Sequence, residues 1–121
     1  MILVDTSVWV QHLRAGNPRL GDRLRDGQVL SHPFVVGELA CGDLRGRGPI
    51  LTDLAAIPEA RAAEHGEVLR FVDSLRLYGR GLGWIDVHLL ASARLSGCGL
   101  WTLDKRLQSA AATLGIDVRA S

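Results

Sequence analysis

The sequence predicts an α/β fold: a central, mostly parallel sheet of four to five strands flanked by helices, in a single domain over residues 1–121. Three observations predict it. Two short apolar runs, Ile2-Leu3-Val4 and Leu100-Trp101-Thr102-Leu103, each end in an acid and lead directly into a segment of helical period. Apolar runs of this kind are typical of strands buried on both faces. Strand-like and helix-like segments then alternate along the chain, the pattern of a parallel sheet covered by helices. Finally, glycine makes up 14 of 121 residues, well above the usual level of about 7%, which suits many tight connections.

Taken in order, residues 1–5 read as a buried strand. Residues 6 to about 15 read as a helix, with Thr6 or Ser7 as N-cap and Gly16 as stop. Trp9, Val10 and Leu13 fall on one face of it. A second helix over 18–26 ends at Gly27, and residues 28–31 form the next strand. Pro33 suits a first helical turn and opens a helix reaching about Leu44. Residues 45–49, Arg-Gly-Arg-Gly-Pro, read as a turn, and residues 50–56 as a short helix. Residues 57–60 are irregular and hold at most a marginal strand. Residues 62–77 are amphipathic, with Val68, Phe71, Val72 and Leu75 at i, i+3, i+4 and i+7. Gly79-Arg80-Gly81-Leu82-Gly83 is a glycine-spaced loop without the GK[ST] ending of a phosphate loop. A helix over 84–95, a strand over 100–104, a helix over 105–114 stopped by Gly115, and a strand over 116–119 complete the chain.

Bulk properties narrow the function. The chain is 47% hydrophobic and 22% charged, ordinary for a globular protein. No stretch approaches the roughly 18 apolar residues of a membrane span. The N-terminus lacks a basic export region and Asp5 interrupts its apolar run, so a cytoplasmic protein is expected. Cys41 and Cys98 lie in apolar helical stretches and read as buried free thiols, normal in a reducing compartment. Net charge is only +1, but without Asp5, Glu38, Asp86 and Asp104 the chain has fourteen basic residues against nine acidic ones. Thirteen of the fourteen are arginine, a side chain suited to phosphate.

Those four acids carry the chemical signal. Asp5 and Asp104 end strands, where function gathers in a parallel sheet. Glu38 lies within an otherwise apolar half-helix, and Asp86 lies at the start of another helix. Gathered carboxylates repel one another unless a divalent cation holds them, which points to metal-dependent chemistry on phosphate esters. Each acid also has a simpler role open to it. Asp5, Asp86 and Asp104 suit helix N-termini, and Glu38 suits a solvent-facing position. His12, His32, His65 and His88 lack metal-ligand spacing and read as structural or surface residues. Trp9, Trp84 and Trp101 read as core.

With these residues in view, the chain resembles the PIN-domain ribonucleases, and among them the VapC toxins of bacterial toxin–antitoxin modules. The marks are Met1-Ile2-Leu3-Val4-Asp5-Thr6-Ser7-Val8-Trp9, Pro33-Phe34-Val35-Val36-Gly37-Glu38-Leu39, Gly83-Trp84-Ile85-Asp86 and Leu100-Trp101-Thr102-Leu103-Asp104-Lys105-Arg106-Leu107. Each segment alone is weak, but all four in order are specific. The resemblance implies a Rossmann-like sheet with the Asp5 strand central. It implies that Asp5, Glu38, Asp86 and Asp104 are catalytic and hold Mg²⁺ or Mn²⁺, with Thr6 and Thr102 supporting them. Arg45, Arg47, Arg80 and Arg106 are candidates for phosphate contact. It further implies an RNA substrate (transfer or ribosomal RNA), a homodimer, and a VapB-type antitoxin whose arm inserts an arginine among the carboxylates. Leu20, Leu24, Val36 and Leu51 are the apolar residues expected to line a groove for it. Leu103 departs from relatives that carry a polar or basic residue there. A non-catalytic RNA-binding PIN domain is the main alternative. A receiver-type signalling domain is less favoured, because the first strand supplies one acid rather than a pair.

Overall fold

The computed structural model describes residues 1–121. Its elements are β1 (Ile2–Val4), α1 (Thr6–Ala15), α2 (Pro18–Arg25), β2 (Val29–Leu30), α3 (Pro33–Cys41), α4 (Arg47–Ala55), α5 (His65–Ser74), α6 (Trp84–Ser96), β3 (Gly99–Trp101), α7 (Lys105–Thr113) and β4 (Val118–Arg119). The four strands form one parallel sheet in the order β2-β1-β3-β4. The Asp5 strand is therefore interior, as the resemblance implied. The marginal strand expected near residues 57–60 is a single parallel bridge between Ser31 and Glu59. It is flanked by Ser31 N–H to the Pro58 carbonyl at 2.9 Å and Ala60 N–H to the Ser31 carbonyl at 2.8 Å.

The core lies on both faces of β1 and β3. Leu3, Val4, Leu100 and Trp101 are wholly buried, and Val8, Leu89, Leu90, Leu107 and Ala110 pack with them. α6 is buried continuously from Val87 to Ala93, so it forms the central support of one face. No helix is long and apolar enough to cross a membrane.

Several expectations need correction. Residues 47–49 are the first turn of α4, entered through Gly46 at φ +64°, rather than a turn before it. Pro49 is tolerated there because first-turn N–H groups have no intrahelical acceptor. The amphipathic helix starts at His65, not residue 62. Glu64 and Glu67 form a capping box, with Glu64 N–H on Glu67 Oε1 at 3.0 Å, and this fixes the start. It ends at Ser74, shortly before Arg76 takes φ +53°, although Leu77 beyond it is still buried. β3 stops at Trp101, and residues 102–104 turn into α7.

Four side chains also differ from expectation. Cys41 is exposed and Cys98 only partly covered. The buried stripe of α3 is Val35 and Leu39. Two residues of helix rotate the chain by about 200°, which turns Cys41 away from that stripe. Trp84 is 37% exposed because it opens α6 ahead of the helix's buried stretch. Leu20 is fully buried in the core and lines no groove.

Candidate active site

The site starts from strand register. Val4 of β1 pairs with Trp101 of β3, so the next residues, Asp5 and Thr102, leave the sheet side by side. Asp5 N–H bonds the Trp101 carbonyl at 2.9 Å. Asp5 is the N-cap of α1, and its Oδ1 accepts from Thr6 N–H at 2.7 Å. Its Oδ2 accepts from Thr102 Oγ1 at 2.7 Å and from Ser7 Oγ at 2.9 Å. Those hydroxyls in turn accept backbone donors from the β3–α7 turn: Asp104 N–H reaches Thr102 Oγ1 at 3.1 Å, and Leu103 N–H reaches Ser7 Oγ at 3.1 Å. Asp5 is thereby buried but fully hydrogen-bonded, the condition under which a buried carboxylate is tolerated.

The other three acids stand on the surrounding helices. Asp104 caps α7, with Oδ1 accepting Arg106 N–H at 2.9 Å and Leu107 N–H at 3.3 Å. Asp86, in the first turn of α6, uses Oδ2 to accept Gly83 N–H at 2.8 Å. Glu38 of α3 is exposed, and its Oε1 accepts Thr6 Oγ1 at 2.6 Å. The capping roles considered for Asp5, Asp86 and Asp104 are thus present, and the same hydrogen bonds fix where these carboxylates sit. Burial is graded: Asp5 is covered, Asp86 partly covered, and Glu38 and Asp104 open to solvent.

Asp86 stands in the field of the other three acids. Burial raises the pKa of Asp86 above the ordinary aspartate value; the Gly83 N–H opposes this, and the charges of Asp5, Asp104 and Glu38 add to the rise. No basic side chain neutralises the group, since the chain's one ion pair, Arg25 with Asp22, lies on α2. Asp86 Oδ1, Asp104 Oδ2 and Glu38 Oε2 receive no hydrogen bond from the protein. No three acidic, imidazole or thiol groups form a ready-made cation cage. The donor set is all hard oxygen, which fits Mg²⁺ or Mn²⁺, and Mg²⁺ is commonly held by one or two carboxylates while keeping several of its waters.

Ser7 and Gly83 are the site residues that sequence reasoning missed. From the sequence Thr6 or Ser7 is expected to cap α1, but the cap is Asp5; the Ser7 hydroxyl two residues after that acid is the signal that marks it. Gly83 stands three residues before Asp86, the spacing of a capping box. The four candidate arginines divide. Arg47 donates to the Ala40 carbonyl at 2.9 Å. Arg45 lines an open cavity of about 610 Å³ beside Glu38. Arg80 is exposed in the glycine loop, and Arg106 crosses Gly81 of that loop. The cavity is walled by Val10, Leu13, Leu39, Leu44 and Ile50 from α1, α3, α4 and the α3–α4 connection, a different set from the four residues expected.

Fold, the carboxylates gathered beyond the ends of β1 and β3, and their order along the chain together define a PIN domain. The model of that family matches residues 2–113. The chain is 49% identical over 117 residues to ribonuclease VapC32 of Mycobacterium tuberculosis, covering 96% of this chain and 94% of that one. It belongs to the PIN-domain family, in the VapC branch. Two solved structures share the fold. PAE2754 from Pyrobaculum aerophilum has TM-score 0.63 and 19% identity, covering 97% of this chain and 82% of that one. FitAcB from Neisseria gonorrhoeae has TM-score 0.64 and 20% identity, covering 98% and 96%.

Proposed function

We propose that this chain is a Mg²⁺- or Mn²⁺-dependent endoribonuclease toxin. It hydrolyses phosphodiesters of transfer or ribosomal RNA in the cytoplasm, inhibits translation, and is neutralised by a cognate VapB-type antitoxin. The observation that carries the reading is electrostatic: Asp86 stands in the field of three other carboxylates at one end of a parallel sheet, and no basic side chain is paired with any of them. The name of the ribonuclease relative supports the substrate class.

Asp5, Asp86, Asp104 and Glu38 are the residues that would hold the cation, which when bound supplies an acidified water and offsets charge on the attacking and leaving oxygens. The chain's own residues do the rest. Thr102 and Ser7 fix the Asp5 carboxylate through both hydroxyls. Backbone N–H groups of α7 and of Gly83 orient Asp104 and Asp86 while leaving one oxygen of each free. Thr6 holds one oxygen of Glu38, and the other is available to orient the attacking water. Preorganised carboxylates need little rearrangement when charge develops. The apolar cavity beside Glu38 is suited to the antitoxin arm, with its arginine directed to the uncompensated acids. A homodimer belongs to the same reading.

The decisive experiment is RNA cleavage by the Asp5→Asn protein in the presence of Mg²⁺. Loss of cleavage in a protein that still folds is expected; cleavage at the wild-type rate would sink the metal-site assignment.

A further inference from the structure

We infer that Arg106 is a phosphate-binding residue of the RNA groove, and that Gly81 is its seat. The inference rests on the RNA substrate of the proposed function and deepens it by assigning one contact. Arg106 is the second residue of α7, immediately beyond the Asp104 cap. Its side chain leaves α7 and lies on the glycine loop. A Cβ at Gly81 would stand 2.9 Å from Arg106 Nη1, 3.0 Å from Cδ and 3.2 Å from Cζ. Gly81 also has φ +74°, a backbone conformation that favours glycine. Two residues later, Gly83 N–H holds Asp86. Arg106 thus spans the two segments that carry Asp104 and Asp86.

Its guanidinium is nonetheless unspent. It forms no ion pair with either acid and donates no side-chain hydrogen bond within the protein; only its backbone N–H is used, on Asp104. Four arginines are held elsewhere, Arg25 on Asp22, Arg47 on the Ala40 carbonyl, Arg19 on Ser121 and Arg119 over the Trp101 ring; among the unpaired ones, Arg106 is set apart by its place between the Asp104 cap and the loop that carries Gly83. Gly81 is favoured by its positive φ, and the absence of a Cβ there leaves the room in which the guanidinium lies. An acidic cluster repels RNA, so a cation lying at its rim, with its planar donor fork free, supplies the attraction that brings a phosphodiester to the acids. The group recognised is a backbone phosphate of single-stranded RNA next to the cleaved bond.

The test uses a fluorescein-labelled, random-sequence single-stranded RNA and the Asp5→Asn protein as a non-cleaving background, titrated over a salt series at fixed Mg²⁺. Adding Arg106→Ala should raise Kd about tenfold, the size of one charge-assisted hydrogen bond. It should also make the slope of log Kd against log salt shallower by about 0.7, the value for one phosphate on a single strand. Arg106→Lys should keep the slope and recover part of the affinity. Gly81→Ala pushes the flexible guanidinium aside, so it should weaken binding alone and add little to Arg106→Ala, since both act on one contact. Unchanged Kd and slope in Arg106→Ala, with an unaltered melting curve, would overturn the inference. If the wild-type protein leaves RNA uncut while binding keeps its dependence on Arg106, the ribonuclease reading fails and this contact stands. If wild type cleaves RNA and Arg106→Ala leaves binding unchanged, the contact fails and the ribonuclease reading stands.

Discussion

Thr102 Oγ1 donates to Asp5 Oδ2 at 2.7 Å, joining two residues 97 apart in sequence at the ends of neighbouring strands. The same hydroxyl accepts Asp104 N–H, so one threonine sets both the orientation of Asp5 and the start of α7. Thr102→Val keeps the shape and removes both hydrogen bonds inside the buried part of the site. Leaving buried partners unsatisfied costs about 1–3 kcal/mol, so a lower melting temperature is expected together with a marked loss of RNA cleavage. Thr102→Ser should recover much of both. Wild-type melting and activity in Thr102→Val would remove Thr102 from the site.

Asp86 gives a prediction of opposite sign. Its folded pKa is raised, so ionising it opposes folding. The associated stability is full below its unfolded value near 3.8 and is lost as pH rises through the raised folded value. Asp86→Asn should therefore melt higher than wild type at neutral pH without added cation, and the gain should vanish in strong acid. The same variant should be inactive. Thermal melts across pH, paired with cleavage assays, check both halves; a destabilised Asp86→Asn at neutral pH would contradict the repulsion argument.

Relief of that repulsion should be visible without any substrate. A ligand present at about 100 times its Kd stabilises the folded state by roughly 2.7 kcal/mol. Mg²⁺ or Mn²⁺ should raise the melting temperature of the wild-type protein, and Asp5→Asn and Asp86→Asn should lose most of that shift. Chelation should abolish cleavage and reverse the shift together.

Glu38 is exposed and held only by Thr6. Glu38→Gln should change stability by no more than about 0.5 kcal/mol, as for most surface positions, yet reduce cleavage severely. Thr6→Val releases one Glu38 oxygen but keeps the carboxylate, so a smaller loss is expected. Comparable cleavage by wild type and Glu38→Gln would confine the chemistry to the three aspartates.

Thiol labelling separates the cysteines. Cys41 is exposed, whereas Cys98 is partly covered and burial pushes its thiol pKa up. Because the thiolate is the reactive form, one thiol should react quickly and the other slowly in the native protein. Substituting Cys41 by Ser should remove the fast phase.

The sheet and two of its acids are legible in the chain's local pattern. Apolar runs that end in an acid mark strand ends, and the intervening helical periods require a parallel sheet; Asp5 stands out on that ground, and Glu38 by the apolar run around it. Asp86 and Asp104 are not separable from helix capping and dipole partners without the family's ordered segments. Residues 47–49 mislead because glycine and proline suit a turn and a helix's first turn equally well. Only in three dimensions does Val4 face Trp101, and so Asp5 meet Thr102. The folded chain likewise sets Ser7 between Asp5 and Leu103, and lays Arg106 across Gly81. Local sequence fixes periodicity, caps and turns, because these depend on neighbours along the chain. The register of strands distant in sequence depends on how the whole core packs, and that register is what brings these side chains within hydrogen-bonding distance.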